Sequence, residues 1–180
     1  MNRLKEKYIK EIVDKLQQEL GIKNKLAVTR LEKIVISIGL GEAKDNKDII
    51  EKVRVYLKAL AGQNPIVTYA KKSIASFKVS KGQPIGMMVT LRNDRMYAFL
   101  DKLINIALPK LRDFKGISEH SFDNHGNLNL GLREQTIFPE VDYKLIDKVR
   151  GLAVTITTNS KTLKEGKKLM ELLGIPFRKI

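Results

Sequence analysis

Cysteine and tryptophan are both absent from this chain of 180 residues. Without cysteine there is no disulfide framework, thiolate metal site, iron–sulfur cluster or cysteine nucleophile, so packing must hold the fold. Aromatic residues make up only 6% of the sequence, which argues against a platform on which successive single-stranded bases stack. No apolar run approaches the ~18 to 20 residues of a membrane span. The opening Met-Asn-Arg-Leu-Lys-Glu-Lys passes into alternating charges, without the apolar core of a signal peptide or the acid-free run of a transit peptide. We therefore expect a soluble, cytoplasmic protein with no membrane partner.

Acidic residues are the scarcest class relative to their counterparts. There are 34 Lys and Arg against 20 Asp and Glu, a formal net charge of +14. The excess is lopsided: residues 1–93 carry 19 basic and 9 acidic side chains, residues 94–180 carry 15 and 11. No Asp or Glu lies between Glu51 and Asp94, whereas Lys52, Arg54, Lys58, Lys71, Lys72, Lys78, Lys81 and Arg92 all do. Lysines that merely solvate a surface are interspersed with carboxylates, so an acid-free stretch this long predicts a face for a polyanion.

The periodicities predict an α+β fold, a largely antiparallel or mixed sheet with helices on one face and the other face open. Leu4, Tyr8, Ile12, Leu16 and Leu20 form a helical stripe that Gly21 ends. From Leu31 the period becomes two, with Ile34, Ile36, Ile38 and Leu40 inward and Lys33, Val35, Ser37 and Gly39 outward. Ile50, Val53, Leu57 and Leu60 restore helical spacing up to Gly62. Residues 66–69 read as a short strand. Residues 84–93 read as a longer one, Ile85, Met87, Val89 and Leu91 inward and Gly86, Met88, Thr90 and Arg92 outward. Tyr97 to Leu111 predicts a third helix, ended or bent at Pro109. A strand near 128–132, another from Leu152, and a last helix with capping-box spacing at Thr162 and Glu165, stopped at Gly174, complete the pattern. We expect a single domain over 1–180, with a projecting basic hairpin at 70–84 and a long irregular excursion at 112–142.

Catalytic chemistry finds little support. Gly39-Leu40-Gly41 follows a strand but lacks the third glycine of a dinucleotide fingerprint, and residue 44 is Lys. Its glycines would instead permit a tight turn or the close approach of another backbone. No phosphate loop and no nucleophile elbow occur. His120, Asp123 and His125 supply an alternative, an RNA-processing or metal-dependent enzyme using the 120–125 loop, but convergent partners for them are not evident. No catalytic residue, cofactor or metal is expected. The positive evidence is for binding: if the strands around Ile36 and Val89 share a sheet, Lys33, Ser37, Thr90 and Arg92 offer donors beside the small Gly39 and Gly86. Such a set suits the phosphates and sugar hydroxyls of a folded or duplex RNA.

The run Ala70-Lys-Lys-Ser-Ile-Ala-Ser-Phe-Lys78, then Lys81-Gly-Gln-Pro-Ile-Gly86 and Val89-Thr-Leu-Arg92, resembles the large-subunit ribosomal protein five family, which binds 5S ribosomal RNA. The resemblance continues through Phe99-Leu-Asp-Lys-Leu103, Arg112-Asp-Phe-Lys-Gly116, Gly126-Asn127, Glu134-Gln135 and Ile137-Phe-Pro-Glu140, with Gly39-Leu-Gly-Glu-Ala43 upstream. It covers almost the whole chain. It implies a noncatalytic constituent of the large subunit that holds 5S ribosomal RNA in the central protuberance, beside large-subunit ribosomal RNA and neighbouring proteins. The implied RNA-face positions are Asn24, Lys33, Ser37, Gln63, Thr90 and Arg92, with Ser37 standing where the family pattern has Asn. Lys71, Lys72, Ser73, Ser76, Lys78, Ser80, Lys81 and Gly82 would form a hairpin reaching the peptidyl-site transfer RNA. Arg112, Asp113 and Glu134 would lie where the excursion meets the thirteenth small-subunit protein in an intersubunit bridge.

Overall fold

A four-residue apolar repeat overshoots one turn of a 3.6-residue helix by about 40°, so the stripe from Leu4 to Leu20 would spiral off the face of a regular α-helix. The chain corrects this by under-winding. In the computed structural model, which describes residues 2–42, 46–112, 114–142 and 146–178, α1 (Arg3–Lys7) passes through a π-helical segment at Tyr8–Ile12 into α2 (Val13–Leu20). Leu4, Ile12 and Leu16 are buried and Tyr8 is half-buried. The remaining helices are α3 (Lys47–Ala61), α4 (Asn93–Lys102), α5 (Leu108–Lys110) and α6 (Leu163–Leu173), with a second π-helical segment, Leu103–Ala107, joining α4 to α5. Gly21, Gly62 and Gly174 follow their helices in the left-handed region, as their positions in the sequence predict.

The strands are β1 (Leu31–Gly39), β2 (Ile66–Tyr69), β3 (Pro84–Leu91), β4 (Leu128–Leu132) and β5 (Leu152–Thr158), in one sheet of order β2-β3-β1-β5-β4. With its helices this is an α+β fold. β1 alternates as expected, with Ile34, Ile36 and Ile38 buried and Lys33, Val35 and Ser37 half-exposed between them. β3 departs from expectation at its start. Ile85 is exposed, because the antiparallel pairing of β2 with β3 slips between Thr68, opposite Gly86, and Tyr69, opposite Pro84, and leaves Ile85 as the extra residue; Gly86 stays in register and is buried by its neighbours. The bulge turns one residue over. A Cβ at Gly86 would lie 2.6 Å from the Ile38 carbonyl oxygen and 3.0 Å from Thr68 Oγ1. Gly86 is therefore a packing position rather than a gap on an outer face, whereas Gly39 and Gly41 have no heavy atom within 4 Å of a built Cβ. Of the two alternatives for these glycines, the turn is the one observed, at Gly41 and Glu42, and no other backbone of the described residues approaches them.

The third helix begins four residues earlier than Tyr97, at Asn93, which takes a φ of 51°, with Arg92 extended as its N-cap. Pro109 lies in the first turn of α5, and the helix stops at Leu111, whose ψ of 129° is extended. At α6, Thr162 Oγ1 accepts from the Glu165 amide at 3.4 Å, while the Glu165 carboxylate reaches back to the Lys161 amide at 3.0 Å. The reciprocal cap is shifted by one residue from the usual pattern.

By packing, the chain divides into two units. The first comprises Met1–Ile34, Leu91–Leu130 and Thr155–Ile180; the second comprises Val35–Thr90 and Gly131–Val154. In the first, α1 packs on α4 and α2 on α6 around Leu16, Met96, Leu100, Leu169 and Met170, each at most 2% exposed. Each such side chain contributes about 1.5–3 kcal/mol by leaving water. The second has its own core of Ile36, Leu57, Met87, Phe138 and Val154. It also holds a buried polar knot. The Gln135 side chain donates to the Lys148 carbonyl at 2.8 Å and accepts from the Arg150 amide, and Arg150 grips Asp147 through both guanidinium nitrogens at 2.7 and 2.8 Å. Arg150 also reaches Glu42 at 3.1 Å. The guanidinium's hydrogen bonds outweigh partial burial and hold the Asp147 carboxyl down at about 2.

Candidate nucleic-acid interface

Lys33 reaches the surface because β1 has one dry and one wet face, and Arg92 because the chain stays extended for one residue beyond β3 before α4 starts. Both line the same open cleft of about 520 Å³ in the first unit. Asn24, also in that unit, is exposed and caps the 3-10 turn Lys25–Ala27, its side-chain oxygen accepting from the Leu26 amide at 2.9 Å. In the second unit Ser37 is half-exposed on β1, and the Gln63 side-chain amide donates to the Thr90 carbonyl at 3.3 Å, bringing two of the expected positions together. Thr90 is half-exposed on β3.

The 70–84 segment closes as a short hairpin. Ile74 and Val79 exchange backbone hydrogen bonds at 2.8 and 3.2 Å across the 3-10 turn Ala75–Phe77. At its base the Ala70 amide donates to the Gln83 carbonyl and the Gly82 amide to the Ala70 carbonyl, both at 2.9 Å. Ser73 spends its hydroxyl oxygen on the Lys81 amide at 2.9 Å. Lys71, Lys72, Ser76, Lys78, Ser80, Lys81 and Gly82 are exposed. Phe77, 71% exposed beside them, is an aromatic that periodicity gave no reason to single out.

Arg112 is exposed in the first unit. Glu134 is exposed in the second, where it accepts from the Thr136 hydroxyl at 3.1 Å. Asp113 lies outside the described residues. In the 120–125 loop the Asp123 carboxylate is occupied structurally: it accepts from the His125 amide at 2.9 Å, the Asn127 amide at 2.8 Å and the Asn127 side chain at 2.7 Å. Against some desolvation, these bonds lower its pKa. Among the described residues, no group of three or more His, Cys, Asp or Glu is placed to hold a metal, and no helix is long and apolar enough to cross a membrane.

Within the acid-free run Arg54 meets Glu51, the carboxylate at its edge, at 3.2 Å. Outside the run some cations meet carboxylates, as in Arg3 with Asp101 at 2.9 Å, Lys5 with Asp94 at 2.7 Å and Lys168 with Glu19 at 2.8 Å. Lys33, Lys71, Lys72, Lys81 and Arg92 make no ion pair among the described residues. Cations left without counter-charges on an α+β scaffold define a polyanion-binding protein.

The family comparisons are specific about which. Residues 24–79 match the model of ribosomal protein L5, and residues 84–177 match the model of the same ribosomal family's C-terminus. The chain is 58% identical to the large ribosomal subunit protein uL5 of Caldanaerobacter subterraneus subsp. tengcongensis and 56% identical to that of Thermoanaerobacter sp. strain X514, in each case over 99% of this chain and 100% of the relative. It is 53% identical to the large ribosomal subunit protein uL5c of Mesostigma viride, over 99% and 97%. The chain belongs to the ribosomal protein L5 family. It is a noncatalytic protein of the large ribosomal subunit and associates with ribosomal RNA and ribosomal proteins.

Proposed function

We propose that this protein docks 5S ribosomal RNA and fastens it in the central protuberance of the large subunit. The observation that carries the reading is that Lys33, Lys71, Lys72, Lys81 and Arg92, in and beside the acid-free run, make no ion pair among the described residues, in a chain whose family is ribosomal. Asn24, Lys33 and Arg92 of the first unit and Ser37, Gln63 and Thr90 of the second contact the RNA. Lysine and arginine take phosphates, and the short polar side chains take sugar hydroxyls. The basic hairpin from Lys71 to Gly82 reaches the peptidyl-site transfer RNA. The excursion bearing Arg112, Asp113 and Glu134 meets the thirteenth small-subunit protein in the bridge between subunits.

Filter binding of 5S ribosomal RNA against a transfer RNA control, across a salt series, tests this directly. The 5S RNA should bind more tightly, with a log–log salt slope of roughly −0.7 to −0.9 for each phosphate neutralised. Thr90→Ala with Arg92→Ala should weaken 5S binding, whereas Lys78→Ala with Lys81→Ala should leave it nearly intact. Equal affinity for both RNAs would reduce the protein to a generic polyanion binder, and loss of 5S binding in the hairpin variant would mean that the two contacts are wrongly assigned.

A further inference from the structure

The cleft that Lys33 and Arg92 line is more than a basic patch. Arg30 also lines it, and like the other two it makes no ion pair among the described residues; Glu32 is the only carboxylate among the described residues of the wall. Arg30 leaves the backbone from a fixed point. Its amide donates to Asn159 Oδ1 at 2.6 Å and its carbonyl accepts from the Asn159 amide at 3.1 Å. One residue earlier, the Thr29 carbonyl accepts from the Tyr8 hydroxyl at 2.9 Å, which holds the half-buried Tyr8 ring in the same wall. Behind it stands Tyr97, 6% exposed, with ring centroids 6.1 Å apart, and Met96, 2% exposed. Burial raises both phenols, and the charge of Arg30 acts in the opposite sense on each.

Cations without counter-charges in a concave site concentrate anions, and a guanidinium suits a phosphate because it donates two parallel hydrogen bonds. The Tyr8 ring, the aromatic surface the wall offers, has no use for a phosphate. It suits a flat base, and at about 520 Å³ the cleft falls in the usual range for a small-molecule site. An inorganic anion or an acidic peptide would satisfy only the cations, and a continuous duplex could offer no base to the wall. We propose that this cleft is a seat for one unpaired nucleotide of the bound RNA, its phosphate held by Arg30, Lys33 and Arg92 and its base against Tyr8. The inference rests on the reading of the protein as a 5S RNA binder and adds to it two contacts, Arg30 and Tyr8, and a recognition mode.

The test is nuclear magnetic resonance titration of the full chain with adenosine 5′-monophosphate and, separately, with inorganic phosphate. The nucleotide should shift the Tyr8 ring and Arg30 side-chain signals and bind at least about fivefold more tightly than phosphate. Tyr8→Leu should abolish the difference, whereas Arg30→Ala should weaken nucleotide and phosphate alike and lower 5S RNA binding about tenfold, with the salt slope reduced by about one. Arg30→Lys, which keeps the charge at an exposed position and removes the planar fork, should restore part of the binding of both ligands and leave the nucleotide preference unchanged. Equal affinity for nucleotide and phosphate, which is an anion seat only, would overturn the proposal. So would an Arg30→Ala variant that binds 5S RNA like wild type while the Thr90 and Arg92 variant has lost it, an outcome that leaves the 5S assignment standing. Failure to prefer 5S RNA over transfer RNA would remove that assignment, with the nucleotide titration still deciding the seat.

Discussion

Gly166 stands inside α6, where glycine ordinarily costs a helix about 1 kcal/mol relative to alanine, yet Gly166→Ala should weaken this protein. A Cβ there would press on the Gly126 carbonyl oxygen and lie 2.5 Å from Gly126 Cα. The turn carrying Gly126 has no room to retreat. Asp123 ties its amides together, the Asn127 side-chain oxygen accepts from the Thr158 amide at 2.9 Å, and Ser160 donates its hydroxyl to the His125 carbonyl. Gly126 is itself at φ 76°, with a built Cβ 2.5 Å from Ser160 Oγ. Helix and turn thus meet backbone to backbone through two glycines. Overpacking a fixed site costs typically 1–3 kcal/mol. Taking about 3 for a clash with immobile backbone and subtracting about 1 for helix propensity leaves a net loss of about 2 kcal/mol. For a chain of this size that is a fall in Tm of about 4–8 °C. Urea denaturation should give a lower midpoint at unchanged slope, and Gly39→Ala, built into open space, should stay within about 0.5 kcal/mol of wild type. A Gly166→Ala variant as stable as wild type, or more so, would refute the argument, because propensity alone would then govern the site.

Two further expectations concern the polar knot of the second unit. The Asp147 carboxyl titrates at about 2 in the folded chain, below the ordinary unfolded value of about 3.9, so its contribution is present above the unfolded value and is lost as pH falls from about 5 toward 2. Asp147→Asn should therefore cost about 1–2 kcal/mol at pH 6 in urea melts, allowing for partial exposure, and the gap to wild type should close on acidification; a gap constant down to pH 2 would mean the pair does not stabilise the fold. Tyr56 is 1% exposed, its hydroxyl makes no hydrogen bond of good geometry among the described residues, and burial pushes its pKa up to about 12 against the opposing influence of Arg150. Tyr56→Phe should be neutral or stabilising by up to about 1 kcal/mol, and a loss above about 1 kcal/mol in the same assay would reveal a bond the hydroxyl makes in solution.

Helices and strands were legible wherever one periodicity ran uninterrupted. The buried stripe of β1, the glycines closing α2 and α3, and the capping pair of α6 are local properties of the backbone, set by repeats of two or 3.6 and by which residues tolerate a turn. The lopsided charge was equally plain, since composition along a chain does not depend on how it folds. Where two segments come together was not legible. The exposure of Ile85 follows from a slip in pairing with β2, the glycine contact of α6 joins residues 40 apart in sequence, and Arg150 finds Glu42 across more than a hundred residues. The cleft is the functional case of the same rule. Tyr8 carries the spacing of a core residue and Arg30 stands in no motif, and each reaches the wall with Lys33 and Arg92 through long-range packing. Sequence alone determined that the protein is a basic α+β chain suited to a polyanion. Tertiary structure decided which cations lack counter-charges and which aromatic stands beside them, because the partners of a side chain are set by segments brought close in space.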